Sequence, residues 1–343
     1  MTQNVALVGY GYVGKTFHAP LIAAVPGLAL HSVVSSDPAK VHADFPAVAV
    51  RRTLDEALAD PAIGLVVIAT PNELHATQAI AALRAGKHVV VDKPFTLNVA
   101  EAKQVIAEAD KAGRLLSVFH NRRWDSGHLT LQRLIADGTL GQIREFNCHY
   151  DRLRPTVRDR WREADVPGAG IWYDLAPHLI DQALQLFGLP DSLYADIQLQ
   201  RDGAKAPDYF HALLRYPETR VILHGSMLVA DSKFHLSAHG THGSFIKYGL
   251  DQQENALKAG RTPGDEGWGA DDSLVALTLA EGETPVSAPI TLERGDYRQY
   301  YAGVRDAIAG TGPNPVTGEE ALAVMKLLEL GLRSAEQRRE LLA

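Results

Sequence analysis

The chain has 343 residues, 46% of them hydrophobic and 22% charged, with one cysteine, Cys148, and a formal net charge of −7. A single cysteine excludes a disulfide framework and a cysteine-based zinc site. The mildly acidic balance removes the electrostatic basis for binding nucleic acid or an anionic membrane. The length predicts two domains, each large enough to bury its own core. Met1-Thr2-Gln3-Asn4 leads straight into an apolar run, without the basic start, long apolar segment and cleavage site of a secretory signal. No apolar run approaches the length of a bilayer-spanning helix, so the expected location is the cytoplasm.

The first 120 residues alternate between two patterns. Short β-branched runs at 5–8, 29–34, 65–69, 88–91 and 115–119 predict strands, and helical stretches lie between them. Asp37-Pro38 reads as an N-cap with proline in the first helical position. Thr53 and Glu56 have capping-box spacing. Asn98 with Glu101 opens a helix over 99–112, which Gly113 closes. Continuous apolar strands separated by helices predict a parallel sheet covered on both faces, a doubly wound α/β domain over residues 1–120.

After residue 120 the pattern changes. Helices are predicted over 129–137 and 171–187, with a strand over 143–150 between them. Strands without intervening helices follow at 193–200, 209–216, 220–227 and 234–239. Tyr209, His211 and Leu213 alternate with Phe210, Ala212 and Leu214, as in an antiparallel sheet with two unlike faces. The stretch 260–272 reads as a long surface loop, and helices over 297–309 and 318–340 close the chain. Residues 121–343 thus form an α+β domain, with the C-terminal helices as candidates to pack back on the first domain.

Gly9-Tyr10-Gly11-Tyr12-Val13-Gly14 follows the first strand directly and opens a helix. In this context Gly9 serves the tight turn, Gly11 lets the backbone approach a pyrophosphate, and Gly14 lets helix and strand pack closely. Amides at the helix N-terminus then attract the anion. Tyr10 and Tyr12 either cover the cofactor or fill space. An NAD enzyme carries an acid about 20 residues on, at the end of the second strand, to hold the ribose 2′-hydroxyl. Ser35 lies 21 residues beyond Gly14 and is followed by Ser36. These hydroxyls leave room for a 2′-phosphate, with Lys40 or Arg52 to balance it. Asp37 is the rival acid, but its place before Pro38 is explained as a cap. The expected cofactor is NADP, with NAD as the alternative.

Thr70-Pro71-Asn72-Glu73-Leu74-His75 and Asp92-Lys93-Pro94 each follow an apolar strand, on the edge where open α/β sheets bind ligands. In the segment 168–181, Asp174 and His178 are one helical turn apart and share a face. Together these segments resemble the Gfo/Idh/MocA oxidoreductases over essentially the whole chain. The family's Glu-Lys-Pro motif falls on Asp92-Lys93-Pro94 and its Asp-x-x-x-His motif on Asp174 and His178. Asp92 replaces the usual Glu, and Ala176 stands where the family usually has Gly. The resemblance implies a Rossmann domain followed by an α+β domain on a large, open, mostly antiparallel sheet carrying substrate contacts and oligomer interfaces. A narrower likeness to the scyllo-inositol dehydrogenase branch, whose characterised members prefer NADP, rests on 120–125, 160–163 and 243–249.

Oxidation of a secondary alcohol needs a base for the hydroxyl proton and a nicotinamide carbon facing the departing hydrogen. His178 suits the base, since an ordinary imidazole titrates at about 6.5. Asp174 would orient that imidazole or bind a neighbouring hydroxyl, and Lys93 would hold the reacting oxygen. Thr70, Pro71, Asn72, His75, Asp92, Lys93 and Pro94 are candidate cofactor contacts, His75 packing near the cofactor rather than acting in catalysis. Asn121, Arg122 and Trp124, with Tyr150, are candidate substrate contacts; the arginines here either bind polyol hydroxyls or cross-link the domains. His211, His224, His235 and His239 read as sheet or interface positions. Asp174, His178 and Asp181 lack a third strong metal ligand, so no metal is expected. The predicted activity is an NADP-linked dehydrogenase of a cyclic polyol, scyllo-inositol first. A sugar or anhydro-sugar dehydrogenase is the alternative, and a catalytically silent dinucleotide sensor the rival from another class. A sensor would have no need of Lys93, Asp174 and His178. A homodimer or homotetramer is expected, because an open sheet with an apolar face associates.

Overall fold

The computed structural model describes residues 2–343, and the chain divides into two compact units. The first comprises Met1–Asn121, Gln253–Trp268 and Asp296–Leu322; the second comprises Arg122–Gln252, Gly269–Gly295 and Ala323–Ala343. The sequence predicts a single boundary near residue 120. By contacts, two later segments belong with the first unit.

In the first unit, β1 (Gln3–Val8), β2 (Leu28–Val34), β3 (Ala49–Arg51), β4 (Leu65–Ile68), β5 (His88–Val91) and β6 (Leu116–Val118) form one sheet. Every pairing is parallel and the order is β3-β2-β1-β4-β5-β6, the doubly wound order that reverses between β1 and β4. The strands β4 and β5 are almost wholly buried, which explains their unbroken apolar sequence. The caps stand as the sequence implies. Asp37 accepts from the Lys40 amide, Thr53 from that of Glu56 and Asn98 from that of Glu101, while Gly113 is left-handed. The strand β3 was not anticipated, because three half-buried residues carry no periodicity.

The later segments complete this unit. Helix Arg298–Ile308 buries Tyr300 and Tyr301, and Phe119 packs between them with ring centroids 4.9 and 5.8 Å away. Asn314 to Thr317 run antiparallel beside β6. Val118 donates to the Val316 carbonyl, and Ser117 bridges Thr317. The otherwise open edge of the sheet is thereby covered.

The second unit is built on β7 (Ile143–Asp151), β8 (Ser192–Gln198), β9 (Tyr209–Arg215), β10 (Arg220–Ser226), β11 (Phe234–Gly240), β12 (Gly243–Tyr248), β13 (Val275–Glu281), β14 (Thr284–Ala288) and β15 (Leu341–Leu342). The order is β14-β13-β12-β11-β7-β10-β9-β8-β15, antiparallel except where β7 and β10 run parallel. On one face Phe146, Cys148, Tyr150, Phe210, Ala212, Leu214, Val221 and Leu223 are buried, and helix Gly170–Phe187 contacts the three central strands. The alternate residues His149, His211, Leu213, Ile222 and His224 are half-buried. The helix enters by a close approach: Gly170, at φ 85°, lies against Pro207, whose carbonyl accepts from the Ile171 amide. Trp172 fits over Gly331, where a Cβ would stand 2.3 Å from the indole.

One C-terminal expectation is corrected. The helix predicted to residue 340 ends at Gln337, because Arg338 turns left-handed at φ 51° and Leu341 then pairs with Leu193. Helix Gln253–Lys258 and the edge strand β14, which carries Pro285, were not anticipated. Among the described residues no helix is long and apolar enough to cross a membrane.

Burial pushes the imidazole of His128 down to about 4 and that of His235 to about 3, and it lowers His75 as well. Each stays neutral in the fold but titrates near 6.5 once unfolded, so the unfolded chain gains protons first as pH falls. For His128 and His235 this stability is complete above about pH 6.5 and is lost as pH falls toward about 4 and 3, at about 1.4 kcal/mol per pH unit for each of the two. Urea midpoints measured across that window are expected to fall steeply, and His128→Gln to make the slope shallower.

Candidate active site

The first cluster of predicted residues lies at the carboxyl ends of β1, β4 and β5. Gly9 has φ 99°, and a Cβ there would stand 2.6 Å from the Ala69 carbonyl oxygen. A Cβ on Gly14 would stand 2.1 Å from the Gly9 carbonyl oxygen. Around Gly11 nothing lies within 4 Å of that position. Two glycines are therefore closed by the chain itself, and the middle one presents bare backbone to open space, as an approaching pyrophosphate requires. The helix beyond contains a π-helical turn, Gly14–His18. The Ala19 amide donates back to the Gly14 carbonyl, and Pro20, which follows it, has no N–H to continue a regular ladder, so a widened turn accommodates that loss.

Around this cradle the tyrosines separate. Tyr10 is buried and donates to Asp44 Oδ2 at 2.8 Å, whereas Tyr12 is 52% exposed and donates to Glu254 at 3.2 Å. At the end of β2 the Ser35 amide donates to the Arg51 carbonyl at 3.0 Å. The Asp37 carboxylate is engaged by the Lys40 amide at 3.1 Å. Ser36, Lys40 and Arg52 are exposed. These residues fit a dinucleotide with hydroxyls, rather than a free acid, at the ribose position.

The ends of β4 and β5 are tied together by His75. Its Nδ1 lies 2.9 Å from the Pro94 carbonyl oxygen and its Nε2 3.0 Å from that of Thr70. Asn72 is buried beside them, and the Thr70 hydroxyl donates to Gln78. Lys93 is half-buried and precedes Pro94 through a cis peptide bond. The Asp92 carboxylate is buried, with His18 Nε2 3.6 Å away. Burial pushes that carboxyl up, but His18, Lys93 and His75 outweigh it and hold it below the ordinary value. The sequence reading missed His18. Its partners, Asp92 and Tyr301 (2.5 Å from Nδ1), are remote in sequence, so no local signal marks it.

In the second unit, helix Gly170–Phe187 carries Asp174 and His178 one turn apart. His178 is 6% exposed, while the Asp174 side chain is 24% exposed and lies 3.6 Å from Arg162 Nε. Arg162 in turn stacks on Trp161. A small cleft beside Asp174 is lined by Arg160, Arg162, Gly170, Arg201 and Met227. Arg122 lies over the Tyr150 ring at 5.1 Å and 3.5 Å from Asp125. Arg123 is committed elsewhere: its Nε and Nη2 grip both oxygens of buried Asp181 at 2.7 to 3.2 Å. Asn121 and Trp124 lie in the short helical turn Asn121–Trp124 after β6.

The glycine geometry separates fold from binding. Gly14→Ala is expected to lower the thermal midpoint by several degrees or abolish folding, since backbone blocks its Cβ. Gly11→Ala is expected to keep the midpoint but weaken NADPH binding, read by nicotinamide fluorescence, by about tenfold or more.

Comparison with known proteins agrees with this architecture. The oxidoreductase family's NAD-binding Rossmann fold matches residues 3–120, and its C-terminal alpha/beta domain matches residues 132–341. The chain is 54% identical over 340 residues to YdgJ of Escherichia coli, an uncharacterised oxidoreductase, covering 98% of each chain. It is 39% identical over 343 residues to IolW of Bacillus subtilis, a scyllo-inositol 2-dehydrogenase (NADP+), covering 99% of this chain and 96% of the relative. The solved structure of YPO2259 from Yersinia pestis superimposes with a TM-score of 0.96 at 51% identity, covering 100% of this chain and 97% of the other. With both domains matched and full-length relatives at these identities, the chain belongs to the Gfo/Idh/MocA oxidoreductase family.

Proposed function

We propose that this oxidoreductase moves a hydride between NADP(H) and the secondary alcohol or ketone of a cyclic polyol, with scyllo-inositol as its first substrate. The observation that carries the reading is the turn after β2: Ser35 and Ser36 offer hydroxyls, and Asp37, the nearby acid, is spent on capping the next helix. A 2′-phosphate is accommodated there without facing a free carboxylate, with Lys40 and Arg52 to balance its charge. The substrate half of the reading rests on the 39% identity with the Bacillus scyllo-inositol dehydrogenase over nearly the whole chain.

When bound, the nicotinamide ring supplies the carbon that accepts the hydride. The chain's own residues handle the proton and the charge. His178 takes the hydroxyl proton as general base. Asp174, four residues earlier on the same helix, orients it or holds a neighbouring hydroxyl, with Arg162 steadying the carboxylate. Lys93 holds the reacting oxygen and stabilises the alkoxide character that develops as the proton leaves. Beside it Asp92 maintains the charge balance, and His75 fixes the backbone on either side.

Nicotinamide absorbance with NAD and NADP in parallel, across scyllo-inositol, myo-inositol, glucose and xylose, tests the reading. NADP-linked turnover of scyllo-inositol well above that of the aldoses is expected. Lys93→Met and His178→Ala are each expected to lower kcat by about 10²–10⁴, and Arg52→Ala to raise KM for NADP but not for NAD. Turnover of an aldose alone would remove the inositol assignment, and variants within tenfold of the parent would remove the catalytic one.

A further inference from the structure

On the half-buried face of the second sheet, three neighbouring strands bring their histidines into one row. The β9–β10 register sets His211 opposite His224, and the parallel β10–β7 register sets His224 opposite His149. Asp151, two residues beyond His149, shares its face. Its carboxylate stands between two imidazoles: Oδ2 is 3.2 Å from His149 Nδ1, and Oδ1 is 3.4 Å from His224 Nε2. The three donor groups lie within 4.8 Å of one another. Tyr209 packs edge-on against His224 and Phe234 against His149, with centroids 5.3 and 4.7 Å apart.

Two observations separate this cluster from an ordinary polar network. Asp151 Oδ1 is buried and accepts no hydrogen bond, so the nearby His224 nitrogen does not aim a proton at it. A buried acceptor left in that state is costly, and a cation beside it removes the cost. The two imidazole–carboxylate spacings, 3.2 and 3.4 Å, are also those of a coordination shell, in which bonds of about 2.0–2.1 Å in a tetrahedron set neighbouring donors about 3.3 Å apart.

We propose that His149, His224 and Asp151 form a binding site for a divalent transition metal of the Zn²⁺ type, with two imidazoles, one carboxylate and one position left for water. Imidazole with carboxylate selects such ions over Mg²⁺ or Ca²⁺, which take oxygen ligands. The role is structural. Tyr150 and Cys148, between and beside the ligands in sequence, point into the buried face contacted by the helix of Asp174 and His178. The metal donors point to the opposite face. A metal here clips β7 to β10, the parallel pair of an otherwise antiparallel sheet.

The test uses tag-free full-length protein stripped with a chelator and titrated with Co²⁺, then Zn²⁺. The wild type is expected to take up one Co²⁺ per chain with a tetrahedral visible spectrum that Zn²⁺ abolishes, and Zn²⁺ is expected to raise its thermal midpoint by several degrees. Asp151→Asn and His224→Gln are each expected to weaken Co²⁺ binding at least tenfold, with His239→Gln as the unaffected control. Circular dichroism of the metal-free variants verifies their fold. Zinc-edge X-ray absorption of the wild type, which needs no variant, is expected to show imidazole and oxygen ligands. Failure of the wild type to take up Co²⁺, unchanged binding in the folded variants, or a zinc shell without imidazole would overturn the site.

Discussion

Gly14 lies so close to the Gly9 carbonyl that no side chain fits between them, and the first unit is organised around that contact. It fixes where the helix leaves β1, and hence where its amide end points. The same turn brings Gly9 against the Ala69 carbonyl at the end of β4. The sheet order reverses between these strands, so the loops after β1 and β4 diverge and leave a crevice. Gly11 faces open space because its two neighbours are held from behind. A phosphate cradle is in this sense a packing consequence: backbone is exposed to a ligand only where the rest of the loop is locked.

The carboxyl edge of that sheet also has to carry charge. Asp92 is buried, and a buried carboxylate is tolerated only with partners. His18, Lys93 and His75 supply them, so the carboxyl stays ionised despite its burial. The family's usual glutamate is a methylene longer. The shorter Asp92 remains ionised here because His18 reaches it from the widened helical turn. His75 adds mechanical constraint by facing the carbonyls of Thr70 and Pro94, the two loops that frame Lys93. Since a neutral ring has only one N–H to donate, His75 engages these carbonyls as donor one at a time.

The second unit solves a different problem. Its broad sheet has two faces of unlike character, and one helix fills the apolar side. Trp172 is the anchor: it donates to the Leu328 carbonyl, packs on Phe210 and occupies the space that Gly331 leaves. With this helix fixed, the positions of Asp174 and His178 on it are fixed as well. The Arg123–Asp181 pair on the next turns is bidentate and buried. It holds the helix to the segment after β6, and it withdraws both residues from any direct role toward a ligand.

Sequence alone determined whatever depends on neighbours along the chain. The glycine loop, the caps at Asp37, Thr53 and Asn98, the buried strands β4 and β5, and the i, i+4 spacing of Asp174 and His178 are all local, because periodicity and capping act over a few residues. It also marked Ser35 and Ser36 by counting from Gly14, since a βαβ unit has a nearly constant length. Tertiary structure decided what depends on strand pairing and on returning chain. Nothing near His18 announces Asp92 or Tyr301, and nothing near His149 announces His224. The bridge of Thr317 to Ser117 forms only because β6 offers an edge, and β3 and β15 are too short to register as patterns. Nothing near Arg123 announces Asp181, 58 residues further on, as its partner. Hydrogen bonds and ion pairs across long sequence separations have no periodic signature, because their partners are chosen by register and topology rather than by spacing.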